Sequence, residues 1–352
     1  MVVATRHTAP AELDAFNAFA AERGWSDGLP LIPPTAERVT AFLADAGADG
    51  DEVIAYLPPS GAACTVEKLA ANAVMTGAPP AALPLLQAAL IAMSEPAFDL
   101  HALNATTGSV VPAVIVNGPI RHDLGIPFET ACLGGAVAGG APAIGRTLRL
   151  VMRNVAGQRS GVTSQSVYGT PGRVAGIVFG EWEERSPWAP LAERRGVPGN
   201  AVTVYGAMGT ANICDIVATT GTELLEIIGK SMAYPGANGF LTSSVFSESL
   251  VVINPVWAEI IARDLPDVDE VQARLFDQAA LPLAWWPKAY HAPLNAAGRL
   301  RSDGRVHLVQ RPEQMIVMVA GGLGGLHAAM LHSWGATLTT TKPIPTSPQV
   351  AR

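Results

Sequence analysis

The chain is short of charge. Asp, Glu, Lys and Arg make up only 15% of its 352 residues, against about a quarter in an average globular protein. A chain so poor in charge must bury much of itself, in its own core or against copies of itself. Aromatic residues are also scarce, at 6%, so Ala, Val, Leu and Gly have to fill the interior. Net charge is −7, with no Lys/Arg block, so nucleic acid is not an expected partner. No apolar run reaches ~18 residues without a polar interruption, so no membrane span is expected. The start, M-V-V-A-T-R-H-T-A-P, has no apolar signal core, and the expected location is the cytoplasm. Cys64, Cys132 and Cys214 are far apart and form no C-x-x-C. The expectation is three reduced thiols, mostly buried, with Cys214 the most so. G-x-S-x-G, the P-loop and G-x-G-x-x-G are all missing. No nucleophile elbow and no nucleotide are therefore expected.

What is present begins with G-W-S-D-G-L-P-L-I-P-P-T, Gly24 to Thr35. It joins two helical patterns. The first runs from Pro10 to Arg23, with Leu13, Phe16 and Ala20 on one face. The second starts at a Thr35 cap and ends at Gly47. Asp27-Gly28 turns the chain and the prolines stop either helix from continuing. Packing accounts for Leu29, Leu31 and Ile32. Trp25 with Asp27 is open between local capping and a place in a site. A strand is expected over Val53–Leu57, then a helix from the Thr65 cap to Gly77.

Beyond residue 100 the pattern alternates strand and helix. V-P-A-V-I-V-N, V-A-G-I-V-F-G, A-V-T-V-Y-G, L-V-V-I-N and M-I-V-M-V are continuous apolar runs, as strands buried on both faces read. The expected fold is α/β: a mostly parallel sheet with helices on both faces and a helical N-terminal cap. The expected divisions are a flexible 1–9, a helical cap over 10–100, an α/β core over 101–338 with a possible boundary near 157–173, and a flexible tail over 339–352. Arg146, Arg149 and Arg153 share one helix face, read as solvated. No repeat is strong enough to name.

In open α/β sheets, sites form beyond the carboxyl ends of strands. Four such ends carry notable residues. They are Asn117-Gly118 with Arg121, the Gly206–Asn212 loop, Asn254, and G-G-L-G-G-L-H at 321–327. Glycine there lets amides point at an anion. The last unit reads as strand, glycine loop and helix, with His327 in the first helical turn, where imidazole could carry protons. The candidate catalytic residues are Asp27 and His327 for protons, and Cys64 or Cys132 as nucleophile. Cys64 precedes a helix cap and Cys132 sits in a glycine-rich loop, settings that favour thiolate. The candidate binding residues are Trp25, Asn104, Asn117, Arg121, Asn212, Gly321, Gly322, Gly324 and Gly325. No H-x-x-x-H or H-x-H occurs. A divalent metal is possible but would have to be gathered from distant segments, with Asp27, His101 and His327 as candidate ligands.

These residues predict an enzyme, a hydrolase or lyase, acting on a small polar or anionic molecule. The alternatives are an accessory subunit of a hetero-oligomer and a thiol redox protein. A homo-oligomer or hetero-oligomer is expected.

Four segments, G-W-S-D-G-L-P-L-I-P-P-T, T-V-E-K-L-A-A-N-A-V-M-T-G, V-N-G-P-I-R and G-G-L-G-G-L-H, also carry a resemblance over about residues 10 to 340. The chain resembles a poorly characterised bacterial family, often labelled hypothetical or thioredoxin-like. That family is related to, or encoded beside, proteins named for a U-G-S-C selenocysteine/cysteine motif. This chain has no C-G-S-C. The resemblance associates histidine with the loop after V-T-V-Y-G, here A-M-G-T-A-N, and with the position after V-V-I-N-P that here holds Trp257. It implies an enzyme-like scaffold. Loss of those histidines, if they are ligands in the family, implies a chain without their metal and a specialised or non-catalytic partner subunit.

Overall fold

The computed structural model describes residues 4–134, 139–244 and 247–345. Among the described residues eleven strands run in chain order: β1 Val53–Leu57, β2 Ala62–Thr65, β3 Val111–Asn117, β4 Ile177–Gly180, β5 Ala201–Cys214, β6 Ser249–Ile253, β7 Ala280–Pro282, β8 Arg305–His307, β9 Met315–Val319, β10 His327–Ser333 and β11 Thr340–Pro343. Seven form one sheet in the order β4-β3-β5-β10-β6-β9, with β11 beside β5. The other four make two small antiparallel pairs.

The sheet is α/β and mixed, not mostly parallel. β3 with β4 and β6 with β9 are parallel. Every pairing made by β5 or β10 is antiparallel. An apolar run shows that a strand is buried; it does not show which way its neighbours run. The order has a symmetry that the amino-acid pattern hides. In each half a strand (β3 or β6) pairs in parallel with the next one outward (β4 or β9) and antiparallel with one inward (β5 or β10). V-I-V-N-G-P-I and V-V-I-N-P-V mark the matching strand ends. The two halves thus share one strand order.

β5 belongs to both halves. Ala201–Ala207 pairs with β3, while Ala207–Cys214 pairs with β10. The register slips between Leu331 and Ser333, a bulge that lets a long strand bend from one sheet layer into another. Beyond the bend the two half-sheets face each other. Val111, Ala113 and Ile115 of β3 share one cluster with Leu250, Val252, Ile316 and Met318 of β6 and β9. The far edges meet as well: Trp182 N–H, just past β4, donates to Val319 O at 2.7 Å.

The helices lie outside this inner layer. Leu69, Leu86, Leu148 and Val151 pack on Val114, Val202 and Val204. Leu224, Ile228, Ile261 and Leu275 pack on Val251, Ile253 and Val317. The inner cluster holds a single helical residue, Leu191. Helices therefore cover the outer face of each half, and the inner faces cover one another. The N-terminal helices are part of the first outer layer rather than a cap: Leu69, Leu86, Leu90 and the β2 residue Cys64 share one core with β3 and β5.

Local signals explain the helix ends. Thr35 Oγ1 accepts from Arg38 N and Thr65 Oγ1 from Lys68 N, each at 3.3 Å. Gly47 and Gly77 close those helices with φ of 62° and 75°, where glycine is the favoured residue. The first helix is shorter than its apolar pattern: it spans Leu13–Glu22, because the Glu12 carboxylate accepts from the amides of Asp14 and Ala15 and caps it there. At the other terminus, residues 340–343 of the expected flexible tail form β11. At the start, Ala4 and Arg6 bond to Glu67. Residues 1–3 and 346–352 lie outside the described residues. Among the described residues no single helix is long and apolar enough to cross a membrane.

The arginine face of the Ala141–Asn154 helix is not solvated. Arg146 Nε and Nη2 donate to both Asp27 oxygens at 2.7 and 2.8 Å, and Nη2 also reaches Leu29 O and Pro30 O. Arg153 Nε donates to Gly24 O at 2.7 Å. Arg149 is buried and donates to Arg173 O and Gln158. A helix periodicity reports which residues share a face, but a guanidinium finds buried acceptors as readily as water when carbonyls converge on it. The Gly24–Thr35 stretch is thus clamped to this helix, and Trp25 packs beside Phe16, Ala20, Leu31 and Leu150.

The clamp makes a prediction. Arg146→Ala should cost about 2–4 kcal/mol of stability, read by chemical denaturation. Burial pushes the Asp27 carboxyl up, but Arg146 and the Leu29 amide outweigh it and hold it below its ordinary value. Its contribution is then complete above the unfolded-state pKa of about 3.9. It is lost as pH falls through the depressed folded value. Asp27→Asn should flatten the loss of stability below about pH 4; an unchanged acid limb would remove Asp27 from it.

Candidate active site

One cleft, of about 420 Å³, gathers residues from five segments. The glycine loop 321–325 leaves β9. His327 opens β10. Asn212 comes from β5, Asn254 follows β6, and Thr130–Leu133 closes one side. Its walls are otherwise apolar, with Leu133, Val252, Leu323 and Ala329, and among the described residues no Lys, Arg, Asp or Glu lines it.

The cleft is rigidly built. Asn254 Oδ1 accepts from Trp257 N at 2.9 Å and caps the Pro255–Asp264 helix. Its Nδ2 donates to His327 O at 2.6 Å. Gly321 N–H donates to Phe128 O at 2.9 Å. A Cβ on Gly322 would stand 2.8 Å from Thr130 Oγ1, and Gly321 has φ of 101°. Position 321 therefore favours glycine, and a side chain at 322 would require Thr130 to shift. The N–H groups of residues 322–325 find no backbone acceptor among the described residues. Unpaired amides on a glycine loop suit an anion or a carbonyl oxygen.

His327 starts a strand, not a helix. The strand–glycine–helix reading fails because the loop feeds an antiparallel neighbour of β6, and H-A-A-M-L-H-S is compatible with either element. The strand gives His327 a partner. It lies opposite Cys214 in the β5–β10 ladder. Asp215 N–H donates to Leu326 O at 3.2 Å, which makes Cys214 and His327 a non-hydrogen-bonded pair. In such a pair the Cβ atoms lie about 4.5–5.5 Å apart on one face. Both side chains are exposed, while their neighbours Ile213 and Ala328 are buried. Asn212 is two residues along the same face.

Cys214 is thus the exposed thiol, against the sequence expectation. Its signal was the alternation of Thr210, Asn212 and Cys214 with Ala211 and Ile213, which reads as one strand rather than a loop. Cys64 and Cys132 are buried in separate clusters. Burial pushes the Cys64 thiol up to about 12 and the Cys132 thiol up to about 11. Thr65 does cap its helix, but Cys64 lies on β2 with its sulfur shut away from water. Cys132 lines the cleft as a protonated thiol.

The remaining candidates lie elsewhere. Asp27 and Trp25 belong to the clamp on the Ala141–Asn154 helix. Asn104 is fully buried, and its Nδ2 donates to Pro58 O at 2.8 Å. His101 is exposed on the Leu100–Ala105 helix. Asn117 and Arg121 fill the mouth of the other half. Arg121, 1% exposed, donates to Gly118 O and Glu181 O and pairs with Glu183 and Glu184. Burial raises Glu184, yet the Arg121 bonds outweigh it and hold the carboxyl at about 2. Asn117 Nδ2 donates to Glu181 and Glu183. Phe128, under the Arg121 guanidinium at 4.8 Å, separates this cluster from the glycine loop. Among the described residues no group of three or more His, Cys, Asp or Glu side chains is arranged to hold a metal, so Asp27, His101 and His327 are not brought together as ligands.

Comparison of the chain with protein-family models, curated proteins and solved structures gave no match.

The burial pattern sets thiol reactivity. A thiol-specific reagent should titrate one fast group per native chain and three after denaturation. Cys214→Ser should abolish the fast group; a fast group that survives this change would place the accessible thiol at Cys64 or Cys132.

Proposed function

We propose that the protein is a hydrolase of a small acyl compound, neutral or singly anionic, working at the 321–329 cleft with Cys214 as nucleophile and His327 as its base. The carrying observation is that Cys214 stands opposite His327 in the β5–β10 ladder, at the edge of the cleft that His327 and the glycine loop line. Uncharged walls argue against a highly charged substrate, and the apolar ones suit a short hydrocarbon body. In the reaction, His327 takes the Cys214 proton as sulfur bonds to the carbonyl carbon. The amides of residues 322–325 stabilise the oxyanion. The bond to the leaving group breaks and that group takes the proton from His327. Water, deprotonated by His327, then attacks the thioester, and the acid leaves as the thiol is restored. A lyase would need the same base but gives Cys214 no role, so hydrolysis is the better reading.

The reading includes a cytoplasmic setting and membership of the bacterial family that the four motifs resemble. In that family context two motifs act as clamps, Gly24–Thr35 on Arg146 and Asn117–Arg121 on the glutamates, while Gly321–His327 makes the cleft.

Activity against a panel of short-chain thioesters, esters and amides tests this. Cys214→Ala and His327→Ala should each lower kcat by about a thousandfold or more with folding intact. Gly324→Ala should weaken substrate, since its new Cβ meets no protein atom within 4 Å and enters the cleft instead. Full turnover in both Cys214→Ala and His327→Ala would end the proposal.

Association of this chain with further copies of itself is the second reading, favoured by one observation. Ile216, Val217, Leu323 and Leu326 are 78%, 76%, 54% and 46% exposed, and the Asp215–Leu326 bond joins their two loops beside the cleft. Exposed apolar rims of this kind mark association surfaces. Sedimentation should show an oligomer that Val217→Asp with Leu326→Asp dissociates; a monomeric wild type would remove this reading.

A further inference from the structure

A second cavity, of about 240 Å³, lies on the outer face of the sheet at the bend of β5. There the two helical layers part. Met208 packs with the first core and Met330 belongs to the second. Both side chains line the cavity, with Leu308, Ser249, Tyr234 and His332.

Its polar groups are placed for a ligand. Ser249 is 1% exposed, yet its Oγ has no hydrogen-bond partner among the described residues. A buried hydroxyl left this way has lost its bonds to water without replacement, a loss that a guest's hydrogen bond would relieve. The Tyr234 hydroxyl lies 3.1 Å from His332 Nδ1, and the two rings meet edge to face at 5.4 Å. Nδ1 is thereby occupied, and Nε2 has no partner among the described residues. Burial holds His332 below its ordinary pKa, so the ring is neutral at neutral pH. Among the described residues no Lys, Arg, Asp or Glu lines the cavity. A charged guest would leave water without a counter-charge, which is expensive in an apolar setting. A carbonyl or hydroxyl with a hydrocarbon body would satisfy Ser249 and His332 and bury itself on the methionines, which adapt to irregular shapes.

We propose that this cavity is a second binding site, separate from the cleft, for a compact uncharged organic molecule with one hydrogen-bonding head. The head bonds Ser249 Oγ and His332, and the body lies on Met208, Met330 and Leu308. The cleft opens among Asn212, Asn254 and His327, so the two sites share no lining residue.

Benzyl alcohol and benzamide serve as probes, with benzoate and benzylammonium as charged counterparts, in saturation-transfer NMR on the full chain. The neutral probes should bind wild type at least tenfold more tightly than the charged ones. Ser249→Ala should weaken them about fivefold or more, and Met208→Trp should displace them. His327→Ala should leave them unchanged, which separates this site from the cleft. Circular dichroism checks that each variant folds. Should Met208→Trp fail to fold, Ser249→Ala alone decides. No transfer to the neutral probes would mean a water-filled cavity and overturn the proposal. Equal binding of charged and neutral probes, or binding untouched by Ser249→Ala, would do the same.

Discussion

The structure depends on one strand being long enough to serve two sheets. β5 spans fourteen residues; its first half completes β3 and β4, and its second half supports β10, β6 and β9. The bend between Ala207 and Thr210 turns the second half-sheet over the first. From that follow the inner cluster with almost no helix, the two outer helical layers, and the seam between them. The same bend leaves one face of residues 210–214 uncovered, which is why Asn212 and Cys214 stand in solvent next to His327.

A chain with little charge holds this arrangement by using its cations inward. Of its 23 basic residues only Lys68, Lys230, Lys288 and Lys342 are lysine. The arginines act on backbone carbonyls: Arg121 on Gly118 and Glu181, Arg146 on Leu29 and Pro30, Arg153 on Gly24, Arg194 on Ala189 and Val317, and Arg299 on Ser244 and Leu308. A planar fork with five donors can satisfy several loop carbonyls at once, which a lysine cannot do. Long connections without regular structure are thereby fixed against the helices and the strand edges.

Local features were legible in the amino-acid order, and distant ones were not. Thr35, Thr65, Gly47 and Gly77 mark helix ends because caps act within four residues. The five buried strands beyond residue 100 are legible because burial shows as continuous apolar residues. Strand direction is not, since parallel and antiparallel neighbours demand the same side chains here. Asp27 and Arg146 are 119 residues apart, and no local pattern connects them. In the cleft, the glycine loop, Asn212, Cys132 and His327 are brought together as a site at strand ends. Cys214 was missed because its neighbour across the ladder is 113 residues away, and a lone cysteine in an apolar stretch looks buried.

The pairing of β11 has a consequence in time. Thr340–Pro343 hydrogen-bonds with Ala201–Val204, and Thr340 Oγ1 donates to Ala92 O. The first half of the sheet therefore receives its last strand from residues 340–343, after every other described strand. On the ribosome, that half emerges early with one edge of β5 unfilled, exposed to other nascent chains. Closure of the earliest-made layer waits until residues 340–343 are synthesised. Contacts so distant in sequence slow folding, and an unpaired edge invites association. Production of this protein should thus be more sensitive to loss of Thr340–Pro343 than their small number suggests.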